Sequence, residues 1–154
     1  MNLSKPALRH VADIDVLVGE PVTVGQTPQG LRRIVPILGG SITGPEITAE
    51  ILAVGADYQT IRDDGFSVLD ARYAARLDNG SLIYIVNTGV RFGSQATMDA
   101  ILRGESVDPE SVYFRTTPKF ETASPAHQWL VQPLFVATGA RRPDSVALAV
   151  YQVD

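Results

Sequence analysis

The chain has 154 residues, 45% of them hydrophobic and 19% charged, a size that fits one hydrophobic core and a composition too apolar for disorder. Its 17 Asp and Glu against 13 Lys and Arg give a net charge of -4, which argues against a broad surface for a phosphate backbone. It contains no Cys, so disulfides, thiolate catalysis and Cys-ligated metal centres are excluded. Residues 1–154 are therefore expected to form a single domain with no nucleic-acid partner. No apolar run approaches the ~18 residues of a spanning helix, and the first residues lack a secretory pattern. A cytoplasmic protein with no membrane partner is the expectation.

Period-two alternation dominates from the start of the chain. In Leu8 to Val18, the side chains of Leu8, Ala12, Ile14, Val16 and Val18 share a face. A Gly, Pro and Gln-rich loop from Gly25 to Gly30 leads to a strand over Leu31 to Leu38, and Gly39-Gly40 and Gly44-Pro45 read as turns. Strands follow at Glu46 to Val54 and Tyr58 to Arg62, with Asp63-Asp64-Gly65 turning the chain. Phe66 to Leu77 places Asp70 and Arg72 on one face and Leu69, Ala71, Tyr73 and Ala75 on the other. Asp78-Asn79-Gly80 then tolerates the positive φ of a tight hairpin, and Ser81 to Phe92 returns.

Ser94 caps a short helix in which Met98, Ile101 and Leu102 share a face, ending at Gly104. Ser111 to Glu121, Gln128 to Thr138 and Ser145 to Val153 complete roughly nine strands. Pro36 and Pro133 fall in strand-like runs and are expected at edges or bulges, where no ladder donor is needed. The pattern predicts an all-β fold: a single antiparallel barrel of about eight to ten strands, lipocalin-like in shape, with one short helix.

No metal site is expected, because the two His, His10 and His127, stand far apart and outside any HExxH or HxH spacing. A nucleophilic elbow and a phosphate-cradling Gly-rich loop are also missing, so no cofactor is expected. What remains is polar side chains on strands. Tyr113, Arg115 and Thr117 project to one side of their strand, and a bulge at Pro118 can re-aim Glu121. An Arg in a cavity grips a carboxylate, and a desolvated Glu exchanges protons near neutrality; the competing reading is a rim ion pair facing water. Asp70 and Arg72 are spaced to pair with each other or to grip a ligand together. Tyr58, Tyr84 and Tyr151 offer phenol groups, Arg91 a further cation, and Trp129, the one Trp, is either core packing or a wall for a flat ligand.

These phrases occur in an order that resembles the family catalogued as domain of unknown function 3237. They run from Arg32-Arg33-Ile34-Val35-Pro36-Ile37 through Gly55-Ala56-Asp57-Tyr58, Leu69-Asp70-Ala71-Arg72-Tyr73 and Asp78-Asn79-Gly80. They continue with Asn87, Gly89 and Arg91, Tyr113-Phe114-Arg115, Phe120-Glu121, Trp129-Leu130 and Arg141-Arg142-Pro143. The chain departs from the family where Tyr58 replaces a usual Trp and Val131 a usual Asn. The resemblance implies an antiparallel barrel and a homo-oligomer, dimer or higher. It also implies similarity to cofactor-independent decarboxylases of lignin-derived phenylcoumaran aromatic acids, and adds Asp57 to the candidate pocket.

The expected function is then a cofactor-free lyase, such as a decarboxylase, or an isomerase. It would act by acid/base chemistry on a small aromatic or carboxylate molecule inside the barrel. Glu121, Arg115, Asp70 and Tyr84 are the expected catalytic residues; Arg91, Arg72, Tyr73, Asp57, Tyr58, Tyr113 and Trp129 are expected to bind substrate. The alternatives are a barrel that carries a small molecule without turning it over, which would show a mainly aliphatic and aromatic interior lined by Trp129 and Phe114 with no convergent acid/base pair, and a filled structural module with no cavity.

Overall fold

Alternation produces the sheet because every second side chain of each strand is apolar and the backbone pleat sends those side chains to one surface. A computed structural model describes all of Met1–Asp154. Its strands are β1 (Leu8–Val18), β2 (Val22–Thr27), β3 (Gly30–Gly44), β4 (Ile47–Ile61), β5 (Ser67–Leu77), β6 (Leu82–Gly93), β7 (Val112–Thr122), β8 (Phe135–Arg141) and β9 (Ser145–Val153). Helix α1 spans Gln95–Leu102, and 3-10 turns occupy Pro109–Ser111 and Pro125–Leu130.

Neighbouring strands are antiparallel in the order β1-β9-β8-β7-β6-β5-β4-β3-β2, and β1 also pairs with β3. That last pairing closes a ring of eight strands and leaves β2 outside it, bonded to β3 alone. Closure removes most of the unpaired edges an open sheet would present. β3 serves two neighbours on one side: Leu31 to Ile34 lie against β2, and Ile37 to Thr43 lie against β1.

Two expected breaks are bulges inside long strands. Gly39-Gly40 does not turn the chain; the β3–β4 register shifts between Pro36 and Gly40 and the strand runs on. β4 likewise passes through the expected gap, with a register shift against β5 between Ile51 and Gly55. Gly40 and Gly55 take φ of 133° and 91°, and a Cβ at Gly55 would stand 1.9 Å from the Arg72 carbonyl oxygen. Only glycine tolerates both the conformation and the approach. β2 forms where a loop was expected, its partner strand beginning after a turn at Pro28-Gln29. The expected strand over Gln128 to Thr138 is corrected too: Pro125–Leu130 is helical, Pro133 precedes the strand, and β8 starts at Phe135.

One cluster of 24 buried apolar residues fills the barrel. The 3-10 turn Pro125–Leu130 closes one end, burying His127 and Leu130, while Phe120 meets Phe135 edge to face at 5.3 Å. Ser124 accepts from Asn79 at 3.1 Å and lies 2.9 Å from His127 Nδ1, which satisfies the polar atoms buried there. Helix α1 has Ser94 as its cap and packs Met98 against Gly65, flanking the other end as its apolar face predicts. No helix is long and apolar enough to cross a membrane.

Candidate functional site

The interior polar cluster sits at the end away from the 3-10 plug, and strand parity builds it. In register, Val35 lies opposite Asp57, Asp57 opposite Ala71, and Ala71 opposite Asn87, so these four side chains form an arc across half of the barrel's inner face. Farther toward the mouth, Arg33 stands beside Gln59, and, beyond Leu69 and Gly89, Ser67 stands beside Arg91 and Arg91 beside Phe114.

The β4–β5 ladder lapses at Tyr58 and Gln59, and the Asp57 carboxylate takes up the donor left over. Asp57 Oδ1 accepts from the Asp70 backbone N–H at 3.1 Å, and Oδ2 accepts from Gln59 Nε2 at 2.8 Å. Removal from water nevertheless pushes the Asp57 carboxyl above the usual carboxylate range, against the opposing pull of those bonds and of the Arg91 charge. Arg91 is 2% exposed, and burial draws its guanidinium down to about 10, which leaves it cationic at neutrality. The guanidinium lies over the Phe114 ring, 5.5 Å from the centroid. Phe114 can lie flat there because Gly139 has no side chain: a Cβ at that position would be 2.7 Å from the ring. Tyr73, 3% exposed, is held protonated by burial and by the nearby Asp57 charge.

Four side chains that are nine-tenths or more buried carry a polar atom with no partner: Tyr73 Oη, Asn87 Oδ1, Arg91 Nε and Thr116 Oγ1. They surround a cavity of about 50 Å³, lined also by Asp57, Gln59, Phe114 and Arg141 and walled by Val16, Val18, Val35 and Leu148. Orphaned polar atoms in an interior are costly and uncommon. Their convergence on one cavity, beside a carboxyl of raised pKa, makes this cluster the candidate site.

Of the residues expected from sequence, Asp57, Tyr73 and Arg91 belong to this cluster. The four expected catalytic residues do not: Glu121, Arg115, Asp70 and Tyr84 face outward, because inward positions are odd-numbered on β5 and β6 and even-numbered on β7. Asp70 accepts from Arg72 Nε at 3.1 Å in a partly exposed pair, and Tyr84 lies across from Glu121 in register, so these residues form a polar patch on the outer wall. Arg115 caps an outer stack in which Phe66, Phe92 and Tyr113 succeed one another, with Arg62 at the far end. Tyr58 and Tyr113 are also outward, 40% and 46% exposed, and Trp129 lies at the plugged end against Phe135. None of these eight lines the cavity. A wide outer groove of about 830 Å³ does include Tyr113 and Arg115, but all of its charged side chains are outward-facing or at the rim.

Gln59, Asn87, Thr116, Arg33 and Arg141 were not expected as site residues, whereas Phe114 lines the cavity as the carrier alternative expected. Asn87 and Thr116 carried a signal: each is a polar residue in phase with the apolar face of its strand. No ring of ligands for a metal is present, since no three of His, Asp and Glu come together.

The chain is thus a closed antiparallel β-barrel with a buried polar cluster at one end. The chain belongs to the family described as Protein of unknown function (DUF3237), whose model matches residues 6–153. It is similar to UPF0311 protein RPA1785 of Rhodopseudomonas palustris, 43% identical over 94% of this chain and 95% of that one. The crystal structure of that protein superposes with a TM-score of 0.93 over 99% of this chain and 100% of the other. A protein of Acinetobacter baumannii described as β-barrel-like, 35% identical, gives 0.87 over 99% of both chains. A Penicillium herquei protein described as an enzyme shares the fold at 17% identity, with a TM-score of 0.75 over 100% of this chain and 98% of the other.

Proposed function

We propose that the protein is an enzyme without a cofactor, a lyase or isomerase that moves a proton on a small aromatic or carboxylate substrate whose reacting group enters the barrel interior. The observation that carries this reading is the meeting of Asp57, Tyr73 and Arg91 at one cavity, with Tyr73 Oη and Arg91 Nε unpartnered. Asp57 is the acid/base group: burial holds its carboxyl above the usual carboxylate range, which favours its taking a proton and returning it. Tyr73 donates a hydrogen bond to the oxygen on which negative charge develops, and Arg91 stabilises that charge at low local dielectric. In a decarboxylation the carboxylate that enters beside Asp57 leaves as carbon dioxide, the electron pair of the broken bond stays on the substrate carbon, protonated Asp57 delivers its proton to that same carbon, and water reprotonates Asp57. An isomerisation uses the same groups with Asp57 taking the proton first. The P. herquei neighbour adds that this fold is compatible with catalysis.

The test is turnover of a panel of small aromatic carboxylic acids, followed by product mass, in the unsubstituted protein and in Asp57→Asn and Glu121→Gln. Conversion should fall by about 10²- to 10⁴-fold in Asp57→Asn and persist in Glu121→Gln. Conversion that survives Asp57→Asn and is lost in Glu121→Gln would move the chemistry to the outer wall. Saturable binding with unchanged ligand would favour the carrier.

A further inference from the structure

We infer that Arg33 and Arg141 form an anion subsite at the mouth of the barrel. The substrate is then an elongated oxyanion whose charged group stays at the mouth while the proton-exchanging group enters beside Asp57. The inference rests on the reading of the cavity given above and names its substrate class.

Size is the first argument. The cavity measures about 50 Å³, whereas an apolar cavity that admits benzene measures ~150 Å³. Below the mouth there is room for a functional group and not for a substituted ring, so most of an aromatic acid lies at the rim.

Charge is the second. Arg33 stands next to Gln59 in the β3–β4 register, and Arg141 ends β8 and lines the cavity. Arg33, Arg91 and Arg141 are close enough for their positive charges to repel one another. Against three guanidiniums the interior supplies one carboxylate, Asp57, and the exposed Asp144 of the β8–β9 hairpin is the other carboxylate whose charge acts on Arg141. The six ion pairs of the molecule involve none of the three arginines. In a chain of net charge -4, this local excess of positive charge is not a general property of the surface.

The third argument is unused hydrogen-bonding capacity. Arg33 Nε and Arg91 Nε are buried without a partner. Arg141 Nη1 donates to the carbonyls of Arg142 and Ser145, which orient the guanidinium and bring no compensating charge. Its remaining N–H groups, with those of Arg33, offer the planar donors that bind a carboxylate in a forked geometry. Arg33 and Arg141 are both less buried than Arg91, which sets them at the entrance and Arg91 at depth.

The experiment is calorimetric binding of 4-hydroxybenzoate and of its neutral isostere 4-hydroxybenzamide at low and moderate salt. The unsubstituted protein should bind the acid about tenfold or more tightly than the amide, with the preference shrinking as salt rises. Arg33→Gln with Arg141→Gln should erase the preference by weakening the acid far more than the amide, and the corresponding pair of Lys substitutions should restore part of it. Equal affinities in the unsubstituted protein, or binding of neither, would overturn the inference without recourse to any variant. So would a preference that survives the paired Gln substitutions. Failure of the catalytic reading looks different: turnover would withstand Asp57→Asn while the preference for the acid remained.

Discussion

Tyr73 separates stability from function at a single atom. Its ring belongs to the core, and its hydroxyl is buried without a partner, so the folded state bears a desolvation cost that brings no hydrogen bond. Tyr73→Phe should therefore unfold in denaturant with a stability equal to that of the unsubstituted protein or up to about 1 kcal/mol higher, while turnover falls. A loss of several kcal/mol would mean that the hydroxyl is bonded and structural. Asp57 makes a prediction in pH. Its carboxyl titrates higher in the folded chain than the ordinary value of about 4 in the unfolded one, so between the two the folded state holds more protons. Stability contributed by this group is fully present below the ordinary value and is lost as pH rises through the raised one. The stability of Asp57→Asn minus that of the unsubstituted protein should grow with pH across that window and then level off; urea unfolding from pH 4 to 8 reads it. At this scale the sequence was ambiguous for a definite reason. Alternation separates Asp70 and Arg72 from Leu69, Ala71 and Tyr73 but does not mark the inner face by charge, because this barrel places Arg91 and Asp57 inside and exposes Val68 and Tyr84.

Among the elements, strands with strict alternation and a tight turn were legible, β5 and β6 above all, because the pleat and the Asn79-Gly80 hairpin act locally. β4 was read as two strands because Gly55 interrupts its pattern, and it is one strand because a glycine bulge bends it without ending its pairing. β2 lacks a buried face: Val22 and Val24 are exposed, so nothing in its pattern reports a core. The bulge also has an energetic consequence. Gly55→Ala would require a β-carbon where the Arg72 carbonyl oxygen stands, at a φ that L-residues avoid. A destabilisation of about 3 kcal/mol or more is expected, read as a lowered denaturation midpoint. An unchanged midpoint would show that the β4–β5 ladder has freedom to shift there.

For the whole molecule, closure joins the two ends of the chain. β1 pairs with β9 from Leu8 opposite Val153 to Leu17 opposite Ser145, and Asp154 and Ala7 exchange backbone bonds. Removing the segment from Ser145 onward would take away β9, open the ring between β1 and β8 and expose the apolar interior. Such a truncated chain should lose cooperative unfolding and bind a hydrophobic dye, as seen by circular dichroism and fluorescence. A sharp transition near that of the full chain would show that the ring does not depend on this seam. The interior that closure protects also gives Asp57 its raised pKa, so the fold and the proposed chemistry share one cause.

The most direct measurement is the carboxyl ¹³C signal of Asp57, assigned by its absence in Asp57→Asn, followed from pH 3 to 9 with and without 4-hydroxybenzoate. The signal should titrate above the ordinary carboxylate range and shift when the ligand binds. A midpoint in the ordinary range, unmoved by ligand, would contradict an acid/base role for Asp57 at the barrel interior.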